Sequence, residues 1–122
     1  MPITFKINKS KKRVEAKVSG NFSFDDITNT MKNAIRDPDF ENGYNIISDH
    51  TEIDNIITTT QVHSTVELLQ TLSKYFENSK WAIVTKKAAS YGMMRMLSMY
   101  AENLPLQINV FNNYDEAEKW LS

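Results

Sequence analysis

The side chains best suited to chemistry follow two short apolar runs of the chain. Asp49, His50 and Thr51 come directly after the first run, and Lys86 and Lys87 come directly after the second. A carboxylate, an imidazole and two ammonium groups can bind a small anion or transfer protons. In an open α/β sheet, ligands bind where the carboxyl ends of parallel strands meet. These residues are therefore a candidate binding rim, and the alternative is that they are solvated polar groups at loop ends.

A methionine-rich segment after Lys87 has the spacing of a helix that borders this rim. Its polar strip is narrow and contains Tyr91, Arg95, Ser98 and Glu102. Tyr91 and Arg95 are expected to overhang the rim. We therefore count Tyr91, Arg95 and Ser98 among the candidate contacts of a ligand or a partner.

The rest of this helix is apolar over about 200°, whereas docking on a sheet needs about 100° or somewhat more. Met94 lies on one shoulder of the arc, beside the face expected to dock. Methionine is unbranched and polarizable, so it suits an adaptable contact. That contact could be a neighbouring helix of the same chain, a second subunit or an apolar ligand. The face expected to dock comprises Ala89, Met93, Met96, Leu97, Tyr100 and Leu104.

Residue counts disfavour several other kinds of site. The chain has no cysteine, which excludes disulfides, thiolate chemistry and cysteine-bound metals. Three glycines are too few for a Gly-rich phosphate loop. His63 and Glu67 are four residues apart on a predicted helix, but a metal needs more ligands than this common pair. We therefore predict no metal, no cofactor and no catalytic residue.

Three threonines, Thr58 to Thr60, precede the apolar stripe of a predicted helix. A threonine in that place is first an N-cap, because its hydroxyl accepts a hydrogen bond from the first turn. Thr58 and Thr59 are also the candidate phosphoacceptors if a kinase regulates the protein.

The totals describe one domain over residues 1–122, with 41% apolar and 24% charged residues. The net charge of −1 does not favour nucleic acid or an anionic membrane. The basic cluster at Lys9, Lys11, Lys12 and Arg13 is typical of a solvated hairpin tip. No signal peptide is evident, and no run approaches the roughly 18 apolar residues of a membrane span. We expect a cytoplasmic protein.

Apolar spacing predicts the element order β-β-α-β-α-β-α-β-α. Two alternating segments form a hairpin, and strands then alternate with helices, which indicates a mainly parallel sheet with an antiparallel start. The third strand is expected to end at Asp49-His50, a loop to follow over Thr51–Ile57, and Asn78 to close the second helix. The predicted strands are Ile3–Ile7, Val14–Val18, Tyr44–Ser48, Trp81–Thr85 and Leu106–Phe111.

This order resembles the STAS domain, the fold of bacterial anti-sigma-factor antagonists. Two segments are similar to the SpoIIAA-like family: KAASYGMMRM at Lys87–Met96 and VFNNYDEAEKWL at Val110–Leu121. The resemblance implies a STAS-like α/β fold with a mixed sheet of about five strands, covered by about four helices. It also implies a small bacterial protein from a family that mostly lacks an assigned activity.

One departure from the STAS pattern affects the function. STAS switch proteins carry a phosphorylatable serine, usually in an Asp-Ser-x-Gly setting, just after the third strand. Here Asp49 is followed by His50 and Thr51, and no glycine lies nearby. The resemblance therefore does not carry a kinase-driven partner switch over to this chain.

Two functions from different classes remain. The first is a non-enzymatic protein-interaction module that self-associates through the methionine-rich helix or a sheet edge, or binds another protein. The second is a carrier or sensor of a small apolar or anionic molecule, held between that helix and the ends of strands three and four. An enzyme would need Asp49, His50, Lys86 and Arg95 to converge within hydrogen-bonding distance.

Overall fold

The computed structural model describes residues 2–122, so residue 1 of the predicted 1–122 domain lies outside the described range. The predicted order of elements is confirmed. The elements are β1 (Ile3–Asn8), β2 (Arg13–Gly20), α1 (Phe24–Arg36), β3 (Asn45–Ile53), α2 (Thr59–Thr71), a 3₁₀ turn (Ser73–Tyr75), β4 (Lys80–Val84), α3 (Ala88–Tyr100), β5 (Gln107–Phe111) and α4 (Tyr114–Leu121).

The five strands lie in the sheet in the order in which they occur along the chain. β1 and β2 are antiparallel, and β2 to β5 are parallel. Each parallel connection therefore moves one place in the same direction. Because such connections are right-handed, α1, α2 and α3 must all cover one face of the sheet. We call this the three-helix face and the opposite one, which α4 covers, the α4 face.

The two faces carry different side chains because alternate residues of a strand point to opposite sides. On the three-helix face, Ile46, Trp81 and Ile83 join the larger hydrophobic core. On the α4 face, Ile47 and Val84 belong to a smaller core beneath the helix. α4 contacts β3, β4 and β5, so the outer part of its face, on β1 and β2, carries polar side chains.

Local sequence explains where the helices begin. Ser23 and Thr58 each accept a hydrogen bond from the backbone three residues on, and the side chains of Asp26 and Gln61 bond back to the cap backbone. These capping boxes satisfy amide groups that otherwise lack a helical partner. The prediction that one of the three threonines caps α2 is confirmed, and the residue is Thr58.

The predicted end of β3 is wrong, because the strand continues through Asp49, His50 and Thr51 to Ile53. β2 is eight residues long and pairs with β3 as far as Gly20 opposite Ile53, past a bulge after Lys17. Apolar alternation does not reveal this extension, because polar side chains occupy both faces of the strand there.

The predicted end of α2 is also wrong. The helix stops at Thr71, and a 3₁₀ turn carries the chain onward before Asn78, which has a positive φ of 66°. Leu72 and Phe76 nevertheless remain buried.

Candidate functional site

α3 docks on the sheet through a face different from the predicted one. Ser90, Met94, Leu97 and Ala101 are buried there, and Met94 is 2% exposed. This face is turned by about 80° from the centre of the predicted face, at about 100° per helical residue, and the two faces share Leu97. The prediction that Met94 lies on a shoulder beside the docking face is therefore wrong.

Ser90 explains the rotation. The hydroxyl of Thr85 donates to the Ser90 hydroxyl over 2.8 Å, so both polar groups are paired inside the core. A paired hydroxyl can be buried at little cost, whereas an unpaired one cannot. The predicted face instead turns sideways, where the Tyr100 ring lies 4.7 Å from the ring of His63 on α2.

An apolar cavity lies between the sheet and the three helices that cover it. Its volume is about 80 Å³. Its walls come from β1 to β4, from all three helices and from the loops beside them. The lining includes Ala16, Met31, Ala34, Ile46, Phe76, Met94 and Leu97.

Three polar side chains in this wall form a chain of hydrogen bonds. The indole Nε1–H of Trp81 donates to Ser48 Oγ over 2.9 Å, and Ser48 Oγ lies 2.9 Å from Nε2 of His50. The other imidazole nitrogen of His50, Nδ1, is buried and has no hydrogen-bond partner. His50, which lines the cavity, therefore carries one buried polar atom that the protein leaves unsatisfied.

His50 is neutral at physiological pH. Burial lowers its pKa from the usual 6.5 to about 4, because an imidazolium in an apolar setting loses its hydration. The negative charge of Asp49 opposes this shift but does not overcome it. A neutral imidazole carries one N–H and one bare nitrogen.

Asp49 and Thr51 lie on the α4 face, on the other side of the sheet from His50. Asp49 Oδ1 accepts hydrogen bonds from the backbone N–H of Thr51 over 2.9 Å and from its hydroxyl over 2.7 Å. Asp49 borders an open polar groove with Lys6, Glu15, Lys17 and Tyr114 on the uncovered part of this face. The predicted grouping of Asp49 with His50 in one rim is thus wrong.

The remaining candidates lie near the start of α3 and on its outer side. Lys86 is exposed, and the ammonium group of Lys87 donates to the carbonyl of Ile53 over 2.6 Å. The Arg95 guanidinium lies 6.0 Å from the centre of the Tyr91 ring. The Ser98 hydroxyl donates to the Arg95 carbonyl over 2.8 Å. Asp49, His50, Lys86 and Arg95 form no hydrogen bond or ion pair with one another.

A partly buried charge network ties β2 to α4. The Arg13 guanidinium donates to both carboxylate oxygens of Glu118 and, through Nε, to Glu15 over 2.8 Å. The hydrogen bonds that Arg13 donates to Glu118 raise the pKa of Arg13 above its usual value, although burial opposes this. Burial raises the pKa of Glu15, but Arg13, together with Asn8 and Lys6, lowers it by more. Arg13 also lowers the pKa of Glu118. Because these charged groups bond to one another, we interpret the network as structural.

Thr58 is the N-cap of α2, and Thr59 is an exposed residue of its first turn. A role for either as a phosphoacceptor stays a prediction. Within residues 2–122, no three histidine, aspartate or glutamate side chains come together as a metal would require. Over the same range, no helix combines the length and apolar character needed to cross a membrane.

Sequence reasoning missed Ser48 and Trp81 as parts of a site. The available signal was the spacing of Ser48 and His50, two residues apart in an apolar strand, which places both on one face. Polar residues on a buried face of a strand must find partners inside the protein. The indole of Trp81, from the neighbouring strand, is that partner.

These features define an α/β domain with a five-stranded mixed sheet, three helices on one face and one on the other. The same fold occurs in the crystal structure of an uncharacterized protein from the DUF3478 family, with a SpoIIAA-like fold, from Shewanella loihica PV-4. The similarity has a TM-score of 0.66 at 18% identity and covers 98% of this chain and 94% of that one. The SpoIIAA-like family model matches residues 13–122. The chain therefore belongs to the SpoIIAA-like family, as the two sequence segments indicated. A comparison with curated proteins finds no match.

Proposed function

We propose that this protein binds a small, mainly apolar molecule in the cavity between the sheet and helices α1 to α3. The observation that carries the proposal is an apolar cavity in the core, lined in part by His50, whose buried Nδ1 has no hydrogen-bond partner. The site lies beneath the methionine-rich helix, but its lining includes Ile46 and Trp81, near the starts of β3 and β4. The sequence instead placed the ligand of a carrier or sensor at the carboxyl ends of these two strands.

The size of the space supports this proposal. Protein interiors are close-packed and contain few voids larger than one water molecule. The cavity volume of about 80 Å³ is several times the roughly 10–15 Å³ that one water molecule requires on the same measure. Apolar cavities of this kind stay dry and accept apolar guests, because water there would lose its hydrogen bonds.

α1 is the element best suited to admit a ligand. It is thirteen residues long, yet Ala34 is its single fully buried residue. Ile27 and Met31 are half-buried and line the cavity. A helix with few buried contacts opens at a lower free energy than the central strands do. We propose entry between α1 and the sheet.

A hydrocarbon titration tests the proposal. Methylenecyclohexane should bind with saturable 1:1 stoichiometry in isothermal titration calorimetry. Ala34→Leu should weaken that binding at least tenfold, since the added side chain fills the cavity. Ala89→Leu is the matched control, because Ala89 is exposed on α3 and the same change leaves the cavity empty. Absence of saturable binding to the wild-type protein would contradict the proposal.

Native mass spectrometry of the purified protein adds an independent test. A mass excess that disappears on denaturation identifies a bound molecule and its size directly. The same spectrum gives the number of subunits, which bears on the second proposal.

A second proposal is a protein-interaction function, supported by one exposed feature of α3. Met99 is 67% exposed and Tyr100 is 50% exposed, and the half-buried Met96 lies on the same helix. Methionine and tyrosine are enriched in interfaces. Met99→Lys should then weaken self-association or partner binding. If light scattering shows that the wild-type protein is a monomer and that Met99→Lys has the same mass, self-association is contradicted.

The lack of cysteine supports a reducing, cytoplasmic location, which stays a prediction.

A further inference from the structure

The polar side chains that line the cavity differ in whether their hydrogen bonds are satisfied. The hydroxyls of Thr30 and Thr65 donate to the carbonyls of Asp26 and Gln61, one helical turn back. Trp81 and Ser48 are paired with each other. Among the described residues that line the cavity, His50 contributes the one polar side-chain atom without a partner, its Nδ1.

The protons shared among the hydrogen-bonded side chains of Trp81, Ser48 and His50 show whether Nδ1 is a donor or an acceptor. An indole N–H can only donate, so Ser48 Oγ accepts from Trp81 and keeps its own proton free. If the Ser48 hydroxyl donates this proton in a hydrogen bond to Nε2 of His50, the single ring proton lies on Nδ1. Nδ1 is then the one unpaired polar atom among these three side chains. If Nε2 instead donated to Ser48, the serine proton and Nδ1 would both be unpaired. The first arrangement leaves fewer buried groups unsatisfied and is therefore favoured.

We infer that the molecule held in the cavity carries a neutral hydrogen-bond acceptor, such as a ketone, aldehyde or ester carbonyl, which Nδ1–H of His50 binds. This inference rests on the proposed ligand-binding function. The surrounding wall is apolar and His50 is its one titratable side chain, so a carboxylate would be buried without a counter-charge. A donor-only group would face another donor and gain nothing.

A matched pair of small molecules tests this inference. Cyclohexanone and methylenecyclohexane have nearly the same shape, and they differ in a carbonyl oxygen and a CH₂ group. Their affinities for the wild-type protein and for His50→Leu give four dissociation constants. The ratio of ketone to hydrocarbon affinity should fall about tenfold in the variant, as expected for one buried hydrogen bond. The comparison between proteins cancels the different hydration of the two molecules in water.

A measurement on the folded wild-type protein removes the dependence on a variant that could fail to fold. ¹⁵N NMR of the imidazoles should show Nδ1 of His50 as the protonated nitrogen, with a chemical shift that moves when cyclohexanone binds. His63→Gln assigns the two histidines, because His63 is exposed on α2 and its replacement leaves the cavity intact.

The outcomes distinguish the inference from the function on which it rests. If both molecules bind and their affinity ratio is the same in wild type and His50→Leu, the cavity binds ligands but the inference is overturned. A proton on Nε2 that stays there when cyclohexanone binds overturns it as well. If neither molecule binds the wild-type protein, the proposed function and the inference fail together.

Discussion

The neutral, buried His50 predicts that mild acid destabilises the protein. The unfolded chain has a histidine pKa of 6.5, whereas the folded protein holds the pKa of His50 at about 4. Between these values the unfolded state binds more protons, so the free energy of unfolding falls as the pH decreases. A pKa that differs by one between the folded and unfolded states changes this free energy by about 1.4 kcal/mol, so the total loss by pH 4 is about 3 kcal/mol. By pH 5 the loss should already reach about 2 kcal/mol.

Urea unfolding at several pH values between 7.5 and 5 measures this loss. That window lies above the usual glutamate pKa of 4.5, and Arg13 holds the pKa values of Glu15 and Glu118 lower still. Those carboxylates therefore begin to lose their stabilising charge below the window. His50→Leu should remove most of the pH dependence, and His63→Gln is the control that should keep it. If the wild-type protein and His50→Leu lose the same stability by pH 5, the reasoning about His50 is refuted.

Three further substitutions test other parts of the structure by chemical denaturation. Met94→Asp buries a carboxylate and should remove most of the stability, whereas Met94→Leu should cost less than about 1.5 kcal/mol; a well-folded Met94→Asp would contradict the docking of α3. Thr58→Ala should cost about 1 kcal/mol through loss of the α2 cap, with Thr59→Ala near zero, and equal effects would contradict the capping box. A double-mutant cycle of Arg13→Ala and Glu118→Ala should give a coupling energy of about 2 kcal/mol, and additive effects would show that the bridge between β2 and α4 contributes nothing.

The order of elements could be predicted from the sequence because each element carries its own local signal. The hairpin strands alternate apolar and polar residues, and Ser23 and Thr58 occupy N-cap positions before apolar stripes. The right-handed crossover rule then fixes the side of the sheet on which each helix lies. The strand and cap signals depend on neighbours within a few residues, so no tertiary information is needed to find them.

The candidate site was not predictable in the same way, because its geometry depends on partners distant in sequence. His50 is inward-facing since β3 continues past Asp49 alongside β2, and Ser90 is buried since Thr85 is paired with its hydroxyl. A hydropathy scale scores both residues as polar and therefore predicts them on the protein surface. Met94 was misplaced for the same reason, since a helical wheel centred on apolar residues excluded Ser90 from the docking face.

The separation of Asp49 from His50 decides what the imidazole can do. A histidine that acts as a general base is usually oriented by a carboxylate and has a pKa near the working pH. Adjacent residues of a strand project to opposite faces, so Asp49 cannot bond to the ring of His50 on the three-helix face. The ring instead bonds to a serine hydroxyl, and burial lowers its pKa to about 4. A neutral imidazole with a fixed proton and no carboxylate is suited to holding a ligand by a hydrogen bond, which is the role proposed for it here.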